Sequence, residues 1–529
     1  MCGITINNQE GNYKVEDLKL KDGQRATLVK ELLRKLILNK DQIHRVGEAF
    51  KDEMRAALGE QRSSLQMENT YIPELPDGTE EGTFLALDLG GTNFRVILLE
   101  LARGQILKEE FKFYHISDEA RLGCGIELFD YLADCVKDFM GLKEIPIDSK
   151  MPMGFTFSFP MKQHSLHSAE LVTWTKSFNC PSVVGRDVVE LLQQSLRKHG
   201  MKNIEVLCIL NDTTGTLVEG ARLDKKTRIG MILGTGSNAA FLERAERVQH
   251  WEGERHNEKH VIIDIEWGAF GDKGTIDFIR TEYDKEVDNG SLLKNSFTFE
   301  KYISGKYLGE VCRVVLRDLV DKGLLFSKAS KELFPAPWKF GTDNVSHIEE
   351  DALTGSNTST VKVFDKFNYK FNEDYDEDDI KVIQYTTALV SYRAALLVSI
   401  CTAVLLNRMT EKDITIAVDG SVYKHHPRLK RWMKQLIKEL APEKEFHLML
   451  AEDGSGKGAG LVSSIAQRIS ARIDETPLPT AHTVKKDHQR NHHQVNGCAK
   501  VHTNGVNGFH NGKITSAVNG HTNGYSNGH

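Results

Sequence analysis

The stretch that decides the fold is a glycine-rich turn between two apolar runs: Leu85-Ala86-Leu87-Asp88-Leu89-Gly90-Gly91-Thr92-Asn93-Phe94-Arg95-Val96-Ile97-Leu98-Leu99. The pattern predicts a strand, a tight loop and a returning strand. Gly90 and Gly91 can adopt positive φ angles and let a ligand approach the main chain, whose successive N–H groups in such a turn bind anions. The hydroxyl, amide and guanidinium of Thr92, Asn93 and Arg95 suit phosphate oxygens.

Asp88 is the carboxylate of this stretch, placed at the end of the first predicted strand. Beside a phosphate site its natural partner is a divalent cation, bound directly or through water. An ordinary hairpin would need only one or two of these residues to make its turn. The complete set therefore favours a nucleotide site over a plain turn.

The length and composition indicate a soluble globular protein of more than one domain. A chain of 529 residues exceeds one typical domain, and two domains plus a tail are expected. The composition, 40% hydrophobic and 27% charged, allows large cores. A net charge of -6 gives no reason to expect nucleic acid or an anionic membrane as the main partner.

The cysteines and the N-terminus predict a reducing compartment. The eight cysteines are scattered, with no C-x-x-C pair and no Cys/His spacing suited to zinc, as expected of reduced thiols. Residues 1–14 have neither the apolar region of a signal peptide nor the Arg-rich pattern of a transit peptide. No run is predicted to approach the roughly 20 apolar residues of a membrane helix. We therefore expect a cytosolic protein without integral membrane contact.

Strands alternate with helices along the chain, which predicts an α/β fold. The predicted helices cover residues 25–58, 125–140, 185–199, 213–223, 298–322, 383–409 and 459–472. The predicted strands beyond the opening stretch cover residues 153–159, 205–210, 228–233, 239–242, 261–265, 414–418 and 446–450. Asp212 or Thr213 is the expected N-cap of its helix. The acidic run at residues 373–379 is expected to be a surface loop.

A second stretch further along the chain repeats the pattern of the opening stretch. Leu233-Gly234-Thr235-Gly236-Ser237-Asn238 repeats the order of a strand-ending leucine, two glycines with a threonine, and an asparagine, with one inserted residue. Such repetition suggests two related α/β lobes, each supplying one phosphate loop to a shared cleft.

Two other nucleotide-binding folds fit the sequence less well. No G-x-x-x-x-G-K-[ST] motif occurs, which excludes a P-loop NTPase. Residues 234–239 match the dinucleotide pattern G-x-G-x-x-G/A after a strand. The acidic residue expected about 20 positions later is not clearly there, and the opening hairpin would stay unexplained. A dehydrogenase is therefore not favoured.

A second group of polar residues lies at predicted strand ends and loops: Ser158, Thr175, Lys176, Asn211, Asp212, Asn238, Glu266 and Glu300. Carboxylates and amides suit a polyhydroxylated ligand, because a hydroxyl can donate to a carboxylate and accept from an amide. Taken alone, each residue is better explained by structure: a helix cap, a solvated lysine, or a surface glutamate at a helix start.

Six motifs, in order, resemble those of the hexokinases. They are LDLGGTNFR at residues 87–95, FTFSFP at 155–160 with LVTWTK at 171–176, NDT at 211–213, GTGSNA at 234–239, IEWGAFGD at 265–272 and DGSVY at 419–423. The resemblance covers residues 18–473 and is highly specific. It implies the actin-like ATPase fold, in which two ribonuclease-H-like lobes close over sugar and ATP.

The resemblance also implies a domain organisation. Residues 18–214 would form the N-terminal part, with a small lobe over residues 75–213 preceded by a helix of the large lobe. Residues 215–473 would form the C-terminal part, with the large lobe over residues 214–455 and a last helix returning to the small lobe. Residues 476–529, rich in Asn-Gly and His, cannot bury a core and are expected to be disordered.

By the resemblance, the chain is an ATP-dependent hexokinase that forms hexose 6-phosphate, the first step of glycolysis, with Mg²⁺ bound as MgATP. Asp212 would be the general base for the 6-hydroxyl, and Lys176 would stabilise negative charge. The hexose would be held by Ser158, Thr175, Lys176, Asn211, Asp212, Asn238, Glu266 and Glu300. The nucleotide would be held by Asp88, Gly90, Gly91, Thr92, Asn93, Arg95, Gly234, Thr235, Gly236, Asp419, Gly420, Ser421, Gly454, Ser455 and Gly456. Asp88 would meet the metal through water.

Some alternatives stay open at this stage. Thr342 and Ser346 lie in a segment that matches the family only loosely, so they are secondary nucleotide candidates. Another sugar kinase of the same superfold and a non-catalytic sugar-sensing relative are the alternative functions. Glucose, mannose and fructose are all candidate hexoses, and a monomer is expected.

Overall fold

The computed structural model describes residues 15–90, 93–176, 178–255, 257–330, 332 and 334–475, with only the main chain described for Asn93 and residues 473–475. Its strands are β1 (Glu68–Asn69), β2 (Gly82–Leu89), β3 (Asn93–Ala102), β4 (Gln105–His115), β5 (Met151–Phe157), β6 (Met161–Ser165), β7 (Ser168–Leu171), β8 (Ile204–Leu210), β9 (Thr227–Leu233), β10 (Ser237–Arg244), β11 (His260–Asp264), β12 (Asp413–Asp419) and β13 (Glu445–Leu450). Its helices are α1 (Gly23–Leu33), α2 (Lys40–Leu58), α3 (Asp118–Leu122), α4 (Gly125–Leu142), α5 (Val188–Lys198), α6 (Asp212–Leu223), α7 (Glu282–Gly290), α8 (Thr298–Ile303), α9 (Leu308–Asp321), α10 (Thr342–Thr354), α11 (Thr358–Asp365), α12 (Glu377–Arg408), α13 (Ser421–His425), α14 (Leu429–Leu440) and α15 (Gly454–Glu475).

Two mixed sheets with the same strand order form the frame of the molecule. The first has the order β4-β3-β2-β5-β8, and the second has the order β11-β10-β9-β12-β13, extended by β1 beyond β11. In each sheet three strands form an antiparallel meander, and two further strands pair in parallel beside its first strand. The repeated order confirms the prediction of two ribonuclease-H-like lobes. The lobe of the first sheet is called the small lobe below, and that of the second sheet the large lobe.

The opening stretch forms the hairpin of β2 and β3, as predicted. Leu85, Leu87 and Leu89 lie in a core with α4 and α5, whereas Phe84 and Ala86 lie in a core with α6 and α15. The side chains of β2 alternate between these two cores because helices cover both faces of the sheet. This double burial explains the apolar run at residues 84–87, which stops at Asp88, one residue before the end of the strand.

Residues 25–58 form two helices rather than the single helix predicted. α1 ends at Leu33, a short 3₁₀ turn follows, and α2 begins after Asn39. The Asn39 side chain accepts from the N–H of Gln42, and the Gln42 side chain accepts from the N–H of Asn39, which is a capping box. The leucine spacing hid the break because the turn keeps Leu36 in the same core as Leu33.

α12 corrects the prediction that no apolar run approaches the length of a membrane helix. Within the described residues, this one helix of 32 residues is long and apolar enough to cross a membrane by length and composition, with a mean hydropathy of 2.0 in its apolar window. That window is entirely buried, among α2, α8, α9, α10 and α14. A helix buried on all sides needs no polar face, so its composition follows from its place in the large-lobe core.

The acidic run at residues 373–379 is a surface loop, as predicted, only in its first part, where Glu373 is exposed, because residues 377–379 begin α12. The Asp376 side chain accepts from the N–H groups of Asp378 and Asp379, and Asp379 accepts in return from the N–H of Asp376. Asp378 and Asp379 are buried, and Asp379 pairs with Arg25 of α1. The carboxylates therefore begin α12 and join it to α1, a role that charge alone did not reveal.

α6 and α15 lie between the two sheets. α6 packs on β9, β10 and β12 of the large lobe, whereas α15 packs on β2, β5 and β8 of the small lobe. The two helices touch at glycines, since a Cβ added to Gly458 would lie 2.4 Å from the Cα of Gly215. The domain boundaries inferred from the sequence stay predictions, and the tail at residues 476–529 lies outside the described residues.

Candidate active site

The candidate general base, Asp212, lies where β8 ends and α6 begins. The N-cap of α6 is Asn211, not Asp212 or Thr213 as predicted, because the Asn211 side chain accepts from the N–H of Thr213 at 3.0 Å. The three neighbours are all capping residue types, so their sequence could not decide among them. Since Asn211 supplies the cap, the Asp212 carboxylate can face outward, and 24% of its side chain is exposed.

Lys176 provides a positive charge beside Asp212. Its Nζ lies 3.5 Å from Oδ2 of Asp212. Lys176 has a φ of 53°, in a turn that follows Trp174. Trp174 stacks on Phe178 and donates its indole N–H to the carbonyl of Cys180. Aromatic packing in the small lobe therefore holds the turn that presents this lysine.

Three of the predicted hexose ligands form one hydrogen-bonded cluster. The amide nitrogens of Asn211 and Asn238 donate to the same atom, Oε1 of Glu266, at 3.3 and 3.1 Å. No hydrogen bond among the described residues uses Oε2 of Glu266. Glu266 lies two residues after the end of β11 and has a φ of 54°, a left-handed conformation that turns the chain. The cluster thus leaves one carboxylate oxygen for a ligand hydroxyl.

Glu300 joins this cluster to the second glycine loop. Its Oε2 accepts from the main-chain N–H of Ser237 at 3.0 Å. A Cβ added to Gly236 would lie 2.9 Å from the same oxygen, so glycine is what lets the carboxylate approach the loop. A glycine that the sequence assigned to phosphate therefore also makes room for a predicted hexose ligand.

Burial raises the pKa of the carboxyls in this cluster. The pKa of Glu266 is raised well above its usual value, first by burial and then by the neighbouring carboxyls of Asp264, Asp212 and Glu300. Burial also raises the pKa of Glu300. The ammonium group of Lys176 opposes both pKa shifts, because a cation favours the ionised carboxylate. The ammonium groups of Lys306 and Lys301 also lower the pKa of Glu300, so the protonation of the site depends on several lysines and on the carboxyls themselves.

Ser158 is a buried hydroxyl beside the first glycine loop. It follows β5, and its Oγ has no hydrogen-bond partner within the described part of the chain. It lies 3.6 Å from the position of a Cβ built on Gly90. Thr175 is half-buried in the turn before Lys176. A buried hydroxyl without a partner is a group that a ligand can satisfy.

Asp88 and Arg95 form an ion pair at the first glycine loop. Nη2 of Arg95 lies 2.9 Å from Oδ2 of Asp88, and the hydroxyl of Ser455 donates to the same oxygen at 2.8 Å. Nη1 of Arg95 lies 3.5 Å from Asp453. The predictions for Gly91 and Thr92, and for the side chain of Asn93, lie outside the described residues.

The surroundings of Asp88 suit a metal carried by a phosphate ligand. In the part of the chain that the structure describes, no group of three or more His, Cys, Asp or Glu side chains could hold a metal ion. Asp88 offers one carboxylate, and Oδ2 already accepts from Arg95 and Ser455. Mg²⁺ bound with a nucleotide commonly takes one or two carboxylates and otherwise phosphate and water oxygens. The contact between Asp88 and Mg²⁺ stays a prediction.

A cavity of about 570 Å³ in the large lobe contains part of the predicted nucleotide site. Its lining includes Thr235, Ser421, Thr342 and Ser346, the last two from α10. Its volume lies in the range of small-molecule sites. Thr342 and Ser346 were secondary candidates in the sequence, and the structure places them with the others. A larger cavity of about 920 Å³ lies between the turn from α1 to α2 and helices α12 and α14, and none of the predicted site residues lines it.

The remaining nucleotide candidates lie behind the cavity or away from it. A Cβ built on Gly234 would lie 3.4 Å from the Cα of Gly420, so the ends of β9 and β12 meet there. Asp419 accepts from the N–H of Gly420 at 2.7 Å and lies 3.2 Å from Lys424. None of these four residues lines the cavity.

The third glycine segment is the first turn of α15 rather than a loop before it. Cβ atoms added to Gly454 and Gly456 would collide with Thr216 and Ile97. Helix packing therefore explains both glycines. Ser455 between them reaches Asp88, which joins this turn to the first glycine loop.

Sequence reasoning missed two carboxyls behind the hexose cluster, the buried Asp264 and the half-buried Glu68. Asp264, the last residue of β11, accepts from Nδ2 of Asn238 at 2.7 Å. Glu68 of β1 is paired with Asp264 in the sheet register. Burial raises the pKa of each to about 8. An acidic residue in the otherwise apolar run at residues 261–265 was the available signal, because unpaired Asp is rarely buried.

Comparison with known proteins gives one family. Two family models described as hexokinase match residues 28–222 and 228–465. A hexokinase of Brugia malayi is 40% identical over 420 residues, which are 78% of this chain and 72% of that protein. Hexokinase-1 of Rattus norvegicus is 36% identical over 441 residues, which are 81% of this chain and 47% of that protein. The chain thus spans about half the length of the Hexokinase-1 relatives that it matches.

Solved structures agree with the fold. A hexokinase from Schistosoma mansoni complexed with glucose has a TM-score of 0.77 and 36% sequence identity, covering 84% of this chain and 100% of that one. A second hexokinase crystal structure has a TM-score of 0.72 and 29% identity over the same share of this chain.

Proposed function

Because the chain belongs to the hexokinase family, we propose that it transfers a phosphoryl group from MgATP to the 6-hydroxyl of a hexose, giving hexose 6-phosphate and ADP. The observation that carries this proposal is the pair of Asp212 and Lys176, whose charged atoms lie 3.5 Å apart. Asp212 directly follows Asn211, a member of the amide and carboxylate cluster. A base and a positive charge thus lie beside groups suited to sugar hydroxyls.

The proposed reaction is an in-line displacement at the γ-phosphorus of ATP. The 6-oxygen of the hexose forms the new P–O bond, and the bond between the γ-phosphorus and the bridging oxygen of ADP breaks. The hydroxyl proton passes to the carboxylate of Asp212, since an alcohol attacks better as its proton is withdrawn. Lys176 offsets the charge on the transferred group.

Hexose binding is supported by the unused polar atoms of the cluster. Oε2 of Glu266 can accept from one hydroxyl, and Glu300 and Asn238 offer further acceptors. Ser158 brings a buried hydroxyl without a partner among the described residues. These groups would replace the hydrogen bonds to water that the sugar loses on binding. Burial of a polar ligand costs free energy unless such hydrogen bonds are made.

ATP binding is supported by the cavity of about 570 Å³ and by the two glycine loops. The adenosine would occupy the cavity lined by Thr235 and Ser421, and the phosphates would extend toward Asp88 and Arg95. Mg²⁺ would enter as MgATP and neutralise phosphate charge. Thr235 belongs to the same loop as Gly236, which touches Glu300, so one short segment would join both substrates.

The proposed function is tested by incubating the protein with MgATP and glucose, mannose or fructose and measuring ADP by a coupled assay. Phosphorus NMR of the product distinguishes a 6-phosphate from other esters. We expect turnover with at least one hexose and a strong loss in Asp212→Asn. Failure of all three hexoses to produce ADP would contradict the proposal.

Hexose binding without turnover would instead favour the non-catalytic sensing relative. Calorimetric titration of hexose in the absence of ATP separates that outcome from failure to bind. The cytosolic location, the monomeric state and the role in glycolysis are predictions that this experiment does not address.

A further inference from the structure

Asp264 is a buried carboxyl that supports the hexose cluster from behind. It ends β11, its side chain is 4% exposed, and its Oδ1 accepts from Nδ2 of Asn238 at 2.7 Å. No sequence motif assigned it a role. It lies two residues before Glu266 and touches a predicted hexose ligand rather than the hexose position itself.

The hydrogen bonds of Asn238 leave one orientation for its amide. Its Nδ2 donates to Asp264 at 2.7 Å and to Glu266 at 3.1 Å, which uses both of its hydrogens. Its Oδ1 accepts from the N–H of Ala239 at 2.7 Å. A carbonyl oxygen has a second acceptor position, so one position remains for a hexose hydroxyl. Asp264 therefore fixes which atom of Asn238 faces the ligand.

The surroundings of Asp264 are mostly acidic. Glu68 faces it from β1, Asp212 from α6 and Glu266 from the turn after β11. Two lysines oppose these charges: Lys176 acts on Glu266, and Lys162 acts on Glu68. Burial, together with Asp212 and Glu68, raises the pKa of Asp264 to about 8. At neutral pH the buried pair of Asp264 and Glu266 therefore holds a proton.

We propose that Asp264 is a positioning residue of the hexose site, which holds Asn238 and, through it, Glu266 in the binding geometry while the pair of Asp264 and Glu266 carries one proton, and that loss of this proton weakens hexose binding. The inference rests on the proposed function for the identity of the ligand. Asp264 and Glu266 accept from the same amide nitrogen of Asn238, so they lie close together, and one proton leaves the pair with a single negative charge. When that proton leaves, two negative charges lie side by side in a buried site, and keeping both ionised costs free energy.

The sign of the pH effect follows from this arrangement. The hexose-binding form carries one proton on the pair of Asp264 and Glu266, so hexose binding near pH 8 should draw protons from solution. Above the pKa, the dissociation constant should rise by about tenfold for each pH unit if only the protonated form binds. Below the pKa, the dissociation constant should not change with pH.

The test is calorimetric titration of glucose into the whole protein at pH 7, 8 and 9, in two buffers with different ionisation enthalpies, which also counts protons taken up. The wild type is expected to bind about threefold to tenfold more weakly at pH 9 than at pH 7.

Asp264→Asn keeps an acceptor for Asn238 but cannot ionise, so it should bind as the wild type does at pH 7, without weakening at pH 9 and without proton uptake. Asp264→Ala removes the acceptor and should raise the dissociation constant and KM for glucose by about tenfold at every pH, with kcat nearly unchanged.

Two further variants show which carboxyl is responsible. Glu68→Gln removes the other carboxyl whose pKa is raised to about 8. This variant should keep the weakening of glucose binding at pH 9. Asp224→Asn is the matched control, since Asp224 accepts from Thr415 at a point away from the hexose cluster. It should leave glucose binding unchanged at all three pH values.

The proposal is overturned if Asp264→Asn weakens at pH 9 as the wild type does, or if Glu68→Gln abolishes the effect instead. It is also overturned if Asp264→Ala binds glucose normally. If Asp264→Ala does not fold, as judged by circular dichroism, Asp264→Asn and the proton count decide alone. If the wild type binds no hexose, the proposed function fails first and this inference fails with it.

Discussion

The two sheets share one strand order but place their carboxylates on different strands. In the small lobe, Asp88 on β2 is paired in register with Thr156 on β5. In the large lobe, the matching pair is Ile232 on β9 and Asp419 on β12. The carboxylate therefore lies on the first meander strand of one sheet and on the neighbouring parallel strand of the other.

The residues paired with Asp88 and with Ile232 across the two hairpins differ as well. Arg95 of β3 faces Asp88, whereas Asn238 of β10 faces Ile232. The small-lobe hairpin thus carries an ion pair, and the large-lobe hairpin carries an amide that belongs to the hexose cluster. The repeated strand order fixes the positions of these side chains. By the proposed function, the residue types at those positions would divide phosphate contacts from hydroxyl contacts.

The largest effect is expected where the fifth strand of each sheet leads into a helix. Asp212→Asn removes the proposed base after β8 and should lower kcat by about 10²–10⁴-fold, the usual range for general base catalysis, with hexose binding largely retained. Glu452→Gln changes the matching junction after β13, where the side chain is 63% exposed and pairs with Lys424, and should leave kcat unchanged. Steady-state kinetics with hexose titration measure both. Near-native turnover of Asp212→Asn would contradict its role as the base.

A smaller effect is expected from neutralising the two strand-end carboxylates. Asp88→Asn keeps the side-chain shape but removes the charge that faces Arg95, and should raise KM for MgATP by about tenfold, as expected for loss of a charged hydrogen bond. Asp419→Asn should change it less, because Asp419 accepts from Gly420 and pairs with Lys424 outside the cavity lining. Kinetics at several Mg²⁺ concentrations test this. Equal effects of the two variants would contradict the division between the lobes.

The contact between the two central helices gives the next prediction. Gly458→Ala would place a Cβ 2.4 Å from the main chain of Gly215, and should lower the free energy of unfolding by about 3 kcal/mol. The matched change Gly141→Ala, in α4 with nothing within 4 Å, should raise it by about 0.5 kcal/mol. Urea unfolding of both variants compares the packed glycine with the open one. Stability of Gly458→Ala equal to the wild type would show that the helices can move apart freely.

A separate prediction concerns the acid stability of the large lobe. His426 is buried, its Nδ1 accepts from the N–H groups of Arg428 and Leu429, and burial lowers its pKa to about 3. The unfolded chain binds a proton on this histidine near pH 6.5 and the folded chain only near pH 3, so stability is full above pH 6.5 and falls as the pH drops.

At pH 5 the expected loss from His426 is about 2 kcal/mol of unfolding free energy. His426→Asn keeps an acceptor but does not titrate, so its stability should fall less between pH 7 and pH 5. Hydrogen exchange in α14 compared with α4 would show whether the loss belongs to the large lobe. Parallel losses in the wild type and the variant would rule out His426 as the cause.

The sequence was informative wherever local pattern and burial agree. The two hairpins and their similarity to each other could be predicted, because neighbouring residues determine an apolar strand, a glycine turn and a second strand. The same holds for α4 and for the pair of Asn211 and Asp212 at a strand end. Family motifs then supplied roles that spacing alone left open.

The rest depended on contacts between distant segments. The break before α2 required the capping box of Asn39, which leucine spacing concealed. The acidic run of α12 is buried because Arg25, far away in the sequence, pairs with Asp379. Asp264 could not be linked to Asn238, since only the pairing of β10 with β11 brings them together. Thr342 and Ser346 join Thr235 through packing of α10, which no local pattern encodes.

The position of α15 has a consequence for the order in which the protein is made. All strands of the small-lobe sheet, from Gly82 to Leu210, are synthesised before the helix that covers one of its faces. At roughly 5–20 residues per second, the next 240 or so residues take roughly 10–50 s to translate. During that time Ile97 and Leu99 have no α15 to pack against, and they present an apolar surface to chaperones and to other nascent chains. Ser455 reaches Asp88 only after this delay, so the proposed nucleotide side of the cleft is completed by α15, the last helix of the described residues.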